Sequence, residues 1–226
     1  MKKLTKLLTA AILAAAIVCS SLSVMAATTT KTDTEKTETY KVDAPAAKEI
    51  RNTANGIRVE WKKVKDVKYY AVYRKEGKGS YKLLRTTEKV YIVDKQVKAG
   101  TAYSYKVRCV NKKGDFLSKR SAEQVMYRVE APAMVLTEEN ADKTFAKVKV
   151  TAAAKADGYE IAYSKSITGK DAKKAEVAAF KTKTKTVKIS GIEKDEAYFM
   201  QACSYIKVGK VKYYSAPGKI VLSRKL

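Results

Sequence analysis

From Tyr103 the chain alternates. Tyr103, Tyr105, Val107 and Cys109 fall on one face, and Ser104, Lys106 and Arg108 on the other. Such period-two alternation predicts a half-buried strand of an antiparallel sheet. The turn signal Ala99-Gly100 precedes it. A weaker version starts at Ile192 and runs to Ala202. Two echoes indicate two copies of one unit.

Other stretches fit the same reading. Gly56 to Trp61 alternates with Ile57, Val59 and Trp61 inward, and Lys68 to Arg74 gives the next strand. Glu76 to Ser80 is a hairpin turn. Tyr81 to Arg85 and Val90 to Val93 are shorter strands, and Phe116 to Val129 holds the last one. In the second half, Thr144 to Val150 and Asp157 to Ser164 are strands, Lys207 to Val211 is a hairpin, and a final strand starts at Tyr213. No sustained helical pattern is present. Strands separated by frequent turns predict an all-β chain built from two β-sandwiches of roughly 90 residues each. The expected division is residues 45–130 and 131–226, with Ala131-Pro132 at the junction.

The core spacing makes this specific. Trp61 lies nine residues before Tyr70, and Val97 lies six before Tyr103. These residues resemble a fibronectin type III domain. The resemblance implies an immunoglobulin-like sandwich in which Trp61 fills the core and Tyr103 is a tyrosine corner, its hydroxyl tied to upstream backbone. Val150 precedes Tyr159 by the same nine residues, so Val150 takes the tryptophan's place. Ile192 and Tyr198 repeat the spacing of Val97 and Tyr103. The expected core therefore comprises Trp61, Tyr70, Tyr103, Val150, Tyr159 and Tyr198. The second core needs another filler, and Phe145 and Phe180 are the candidates. The wording around Trp61 is similar to repeats in secreted proteins of Gram-positive anaerobic, clostridia-like bacteria.

The N-terminus reads differently. Lys2, Lys3 and Lys6 precede an apolar run from Leu7 to Val18, and Val24-Met25-Ala26 offers a cleavage site. This pattern predicts a signal peptide over residues 1–26. The run is short for a membrane span. Cys19 belongs to that leader or, as the alternative, is a lipidation site, although Val18 is a poor residue to precede one. Residues 27–44 are rich in Thr, Lys and Glu and predict a disordered tether. No Leu-Pro-Xaa-Thr-Gly motif or C-terminal apolar tail is present, so covalent wall anchoring is not expected.

Charge adds the one functional lead. The chain carries 47 Lys and Arg against 23 Asp and Glu, a formal net charge of +24. Such a balance favours anionic partners. It also keeps a protein soluble and blocks edge-to-edge strand pairing, which are purely structural roles. Both units share the excess: 22 basic against 9 acidic residues in the first, and 19 against 10 in the second. Lys147 and Lys149 alternate with valines and so point outward, as does Lys188, on what the fold makes a neighbouring strand. Lys181, Lys183 and Lys185 form a second row interleaved with threonines, and Lys106 and Arg108 point outward in the first unit. These eight residues are the candidate polyanion-binding set.

Catalytic chemistry finds little support. Histidine is absent, which removes the commonest general base and zinc ligand. Glu138-Glu139 lacks a partner base. Gly77-Lys78-Gly79 lacks the spacing and following helix of a phosphate-cradling loop. Cys109 and Cys203 fall on opposite strand faces in different units, which predicts two free thiols with only Cys109 inward. No enzyme activity, metal or cofactor is expected. The reading is a secreted, non-enzymatic binding or spacer protein at the bacterial cell surface, monomeric and without a membrane span. Its partner is an unknown protein or an anionic cell-wall polymer, and no specific nucleic acid. The alternative is an accessory module of an extracellular polysaccharide-degrading system.

Overall fold

The computed structural model describes residues 40–139, 144–194 and 196–223. The signal peptide expected over 1–26, with Cys19, and the tether up to residue 39 lie outside them. The chain divides into two compact units between Arg128 and Val129.

The first unit has seven strands: β1 (Ala47–Thr53), β2 (Gly56–Trp61), β3 (Tyr69–Glu76), β4 (Lys82–Thr87), β5 (Tyr91–Asp94), β6 (Ala102–Val110) and β7 (Gln124–Tyr127). They form two antiparallel sheets, ordered β1-β2-β5 and β4-β3-β6-β7. In β2 the alternation decides which face is buried. Ile57, Val59 and Trp61 are fully covered, while Arg58 and Glu60 are half-exposed. Trp61 then meets Tyr70 of the other sheet edge-on, with ring centroids 5.5 Å apart. That contact joins the two sheets into a sandwich.

The second unit repeats the plan. Its strands are β8 (Met134–Glu139), β9 (Phe145–Thr151), β10 (Gly158–Ser164), β11 (Lys173–Ala178), β12 (Thr184–Ser190), β13 (Phe199–Val208), β14 (Val211–Tyr214) and β15 (Val221–Leu222). The sheets run β12-β9-β8 and β11-β10-β13-β14, with β15 paired to β13. The order in each unit is the same, so the chain is all-β with two tandem sandwiches of immunoglobulin and fibronectin type III-like topology.

Local geometry repeats as well. The Tyr70 hydroxyl accepts from the Val64 N–H at 3.0 Å, and that of Tyr159 from Ala153 at 3.0 Å. The Tyr103 hydroxyl accepts from Lys98 N–H at 3.0 Å, and that of Tyr198 from Glu193 at 3.4 Å. Asp66 and Lys155, each four residues before its tyrosine, both adopt φ of 59°. Non-glycine residues rarely take this left-handed conformation. Its recurrence marks the same tight turn between the sheets in each unit.

The cores differ in one filler. Trp61, Tyr70, Tyr103, Val150, Tyr159 and Tyr198 are all at most 3% exposed. Beside Val150, Phe180 packs on the second core and stacks on Tyr159 with centroids 5.1 Å apart. Phe145 does not fill that core. It shares the outer face of β9 with Lys147, and the Lys188 ammonium sits 4.2 Å from its ring centre.

Two sequence expectations need correction here. The tether was expected to be disordered to residue 44, but Lys41 and Val42 donate backbone bonds to the Leu117 carbonyl. The last strand of the first unit, Gln124–Tyr127, falls within the expected Phe116–Val129 stretch. Ahead of it the chain is stitched to β6 by serines: Ser118 and Ser121 hydroxyls accept from Cys109 and Val107 N–H at 2.9 Å each. Ser215 and Ser223 do the same for Ser204 and Tyr198 in the second unit. Finally, Cys203 is buried, although alternation puts it on the outer face of β13. It lies beside Ala162 under Phe199 and Tyr214. Both Cys109 and Cys203 are free thiols, and burial pushes that of Cys109 up.

Candidate functional site

The basic residues named from sequence do not form one site. Arg108 departs most from expectation. It is 5% exposed, although it stands on the outward face of β6. Its Nε donates to the Ser118 carbonyl at 3.0 Å and an Nη to the Tyr40 hydroxyl at 3.2 Å, and its guanidinium lies 3.6 Å from the Phe116 ring centre. Arg108 is thus committed to holding the 40–43 segment and the Phe116 turn, and is no free anion contact. Lys106 is half-buried, its ammonium 5.0 Å from the centre of Tyr81.

In the second unit, Lys147, Lys149 and Lys188 do share a face. In the β9–β12 register Lys188 lies directly opposite Lys147, and Thr186 opposite Lys149. Thr184 opposite Thr151 completes three rungs. Lys147 is bound by both oxygens of Glu138 on β8, at 2.9 and 3.0 Å. Lys149 and Lys188 have no ion-pair partner among the described residues. Lys181 and Lys183 are exposed just before β12. Lys185 pairs with Val150 in register and so takes the opposite face of β12, near Phe180. The eight candidates therefore separate into an exposed β9–β12 group, a neighbouring lysine row and two residues absorbed by the first unit.

The matching sheet of the first unit is built differently. Arg51 stands opposite Arg58, and Glu49 opposite Glu60. Arg51 bonds Glu49 at 3.2 Å, and Glu60 takes Lys48 at 2.6 Å and Arg58 at 2.7 Å. The Lys48 bond, then the Arg58 bond, hold the Glu60 carboxyl below its ordinary range. Here each basic residue has a local acid, whereas among the described residues two ammoniums of β9 and β12 have no acid partner.

Cations also occupy aromatic rings, which sequence reading did not reveal. Arg58 lies 3.8 Å from the centre of Tyr91, Lys75 and Lys106 5.1 and 5.0 Å from Tyr81, and Arg120 4.7 Å from Tyr73. Lys212 lies 4.3 Å from Tyr205. These contacts are within the reach of cation–π attraction. A ring covered in this way is not an open platform for a sugar. Tyr214 is half-buried, with its hydroxyl on Glu160 and its ring edge-on to Tyr205.

Two buried carboxylates are the remaining clusters. Asp94 accepts from Arg74 at 3.0 Å, from the Tyr105 hydroxyl at 2.8 Å and from the Gln96 N–H at 3.0 Å. Burial, reinforced by Asp94, pushes the Tyr105 hydroxyl well up. This network closes the end of the first sandwich. Glu160, on the outer face of β10, meets Tyr214, Lys212 at 3.2 Å and Lys174 at 3.4 Å. Both acids are held by cations and tyrosine hydroxyls, although one oxygen of Glu160 accepts no hydrogen bond among the described residues. Among the described residues, no three His, Cys, Asp or Glu side chains gather as a metal site. A shallow hollow of about 340 Å³ beside the β3–β4 hairpin is lined by Arg74, Glu76, Gly79, Ser80, Lys82, Leu83 and Leu84. No helix among the described residues is long and apolar enough to cross a membrane.

No protein-family model matches the chain, and no curated protein matches it. Solved structures do. The fibronectin domains FN1-FN3 of chicken CNTN1 share 17% identity at a TM-score of 0.38, covering 80% of this chain and 68% of that one. The chicken interferon gamma receptor alpha chain shares 9% at 0.38, covering 80% and 97%. A β-1,2-glucanase from Parabacteroides distasonis shares 22% at 0.35, covering 38% of this chain and 12% of that one. At these scores the fold assignment rests on strand order and register, not on the likeness.

Proposed function

We propose that this chain is an exported, non-enzymatic binding and spacing protein, held to anionic polymers of the bacterial cell surface by its basic sheets. The observation that carries the reading is the distribution of charge. Both sandwiches have a large excess of Lys and Arg, 22 against 9 acids and 19 against 10. Charge on this scale raises local polyanion concentration and adds binding in proportion to the phosphates neutralised. Export, retention at the wall and a monomeric state belong to this proposal. The alternative, an accessory module of polysaccharide breakdown, needs open aromatic platforms. The covering of Tyr73, Tyr81, Tyr91 and Tyr205 by cations weighs against it.

The test compares two polymers of similar length, one a neutral glycan and one a polyol phosphate, in the same binding assay. Binding to the polyol phosphate alone supports the proposal. Equal or tighter binding to the neutral glycan overturns it in favour of the accessory module.

A further inference from the structure

We infer that the outer face of β9 and β12 is the principal anion site and that it reads a linear phosphate backbone. This rests on the polyanion reading above and narrows it to one face of one unit.

The register supplies the geometry. Three consecutive rungs pair Thr151 with Thr184, Lys149 with Thr186, and Lys147 with Lys188. Each rung is two residues from the next, about 6.8 Å along an antiparallel strand, with about 4.8 Å between strands. Along this strip every side chain is an ammonium or a hydroxyl able to donate. Among the described residues one carboxylate, Glu138, borders it and binds Lys147. An extended phosphate chain laid along the strip would meet a charge or a hydroxyl at each rung.

The strip also carries a structural cost. Like charges directly opposite in an antiparallel pair destabilise it. In the first unit, the Arg51–Arg58 pair is offset by Glu49 and Glu60 on the same face. In the second unit, Glu138 answers Lys147, but among the described residues no acid answers Lys188 or Lys149. A face that takes up an anion has its missing counter-charge supplied by the ligand.

The aromatic neighbour selects the kind of polyanion. Phe145 ends the strip, and its ring is taken by Lys188 at 4.2 Å and Lys147 at 5.8 Å. Single-stranded nucleic acid gains much of its affinity by stacking bases on open rings. The strip offers it no open ring, so the occupant is a phosphate chain without bases, and nucleic acid is the weaker ligand.

The experiment measures binding of the purified protein to inorganic polyphosphate across a salt series. Three variants are compared with wild type. Lys149→Thr/Lys188→Thr removes two charges from the strip. Lys112→Thr/Lys113→Thr removes two exposed charges from the turn after β6. Lys188→Arg keeps the charge. The strip variant is expected to lose more than about tenfold in affinity and to flatten the log–log salt slope by about 1.4, two contacts' worth. The turn variant and Lys188→Arg should stay within about twofold of wild type. The strip variant should melt no lower than wild type, since it relieves a like-charge pair, so its loss of binding is not unfolding.

Equal losses in the strip and turn variants would overturn the inference while leaving the general polyanion reading intact. Failure of the wild type to bind polyphosphate at any salt would overturn that reading itself. Single-stranded DNA binding as tightly as polyphosphate of equal charge would overturn recognition of the backbone alone.

Discussion

Glu160→Gln gives the sharpest test of the second sandwich. The Glu160 side chain is 4% exposed on the outer face of β10, beneath Tyr214, Lys212 and Lys174. Burial alone would push its carboxyl up, but the Tyr214 hydroxyl and the two lysines outweigh burial and hold it below the ordinary range. The glutamine keeps the volume and the Tyr214 bond and removes the charge. Lys212 is not stranded, because Glu176 still binds it at 2.8 Å. The loss is therefore less than the 3–5 kcal/mol of a broken buried pair. The Lys212 hydrogen bond loses its charge assistance and the Lys174 ion pair is lost, each worth about 1 kcal/mol, so the total is about 2 kcal/mol. For a domain of this length that lowers Tm by about 10 °C.

The pH dependence follows from the sign of the shift. A carboxyl lowered in the native state contributes stability above its unfolded value and loses it as pH falls through the native one. The gap between wild type and Glu160→Gln is expected to be full at neutral pH and to close as pH falls below the ordinary carboxylate range. Calorimetric melting across that range measures it. A variant within about 0.5 kcal/mol of wild type at pH 7, or a gap that does not change with pH, would refute the reasoning.

Three further outcomes are expected. Tyr103→Phe leaves the Lys98 N–H unpaired and should cost about 1–2 kcal/mol, seen as a lower urea midpoint at unchanged slope. Arg108→Ala should destabilise the first unit by about 2 kcal/mol through its lost Ser118 bond and Phe116 stacking, and leave the affinity for polyphosphate unchanged. Cys109 and Cys203 should resist a thiol reagent in the native protein and both react in denaturant, as their burial requires.

The parts of the fold legible in sequence were those with a strong local period. Ile57, Val59 and Trp61 alternate because β2 has one wet and one dry face, and the spacing to Tyr70 then placed the second sheet. Edge strands were harder. β1 reads Ala-Lys-Glu-Ile-Arg-Asn-Thr and β11 reads Lys-Lys-Ala-Glu-Val-Ala, where charges that protect an edge hide the alternation. The segment before β7 escaped pattern reading because its bonds to β6 come partly from Ser118 and Ser121 side chains. Arg108 and Cys203 failed for a shared reason. Alternation tells which face a residue takes, but not whether something else covers that face. The 40–43 segment and Phe116 cover one, and Phe199 and Tyr214 the other.

The candidate site was half legible. Alternation placed Lys147, Lys149 and Lys188 outward, and their sharing of one face needed only the β9–β12 pairing. The absence of compensating acids among the described residues was not legible, because it depends on which carboxylates the register brings across. Cation–π contacts such as Arg58 with Tyr91 join residues distant in sequence, and no local pattern announces them.

Retention on washed Gram-positive cell walls, followed from about 0.05 M to about 1 M salt, tests the central claim most directly, since the screening length shrinks from over 10 Å to about 3 Å across that range. The account predicts strong pelleting at low salt, a linear fall of log affinity with log salt, and no retention at the high end. Retention that does not change with salt, or none even at low salt, would contradict it.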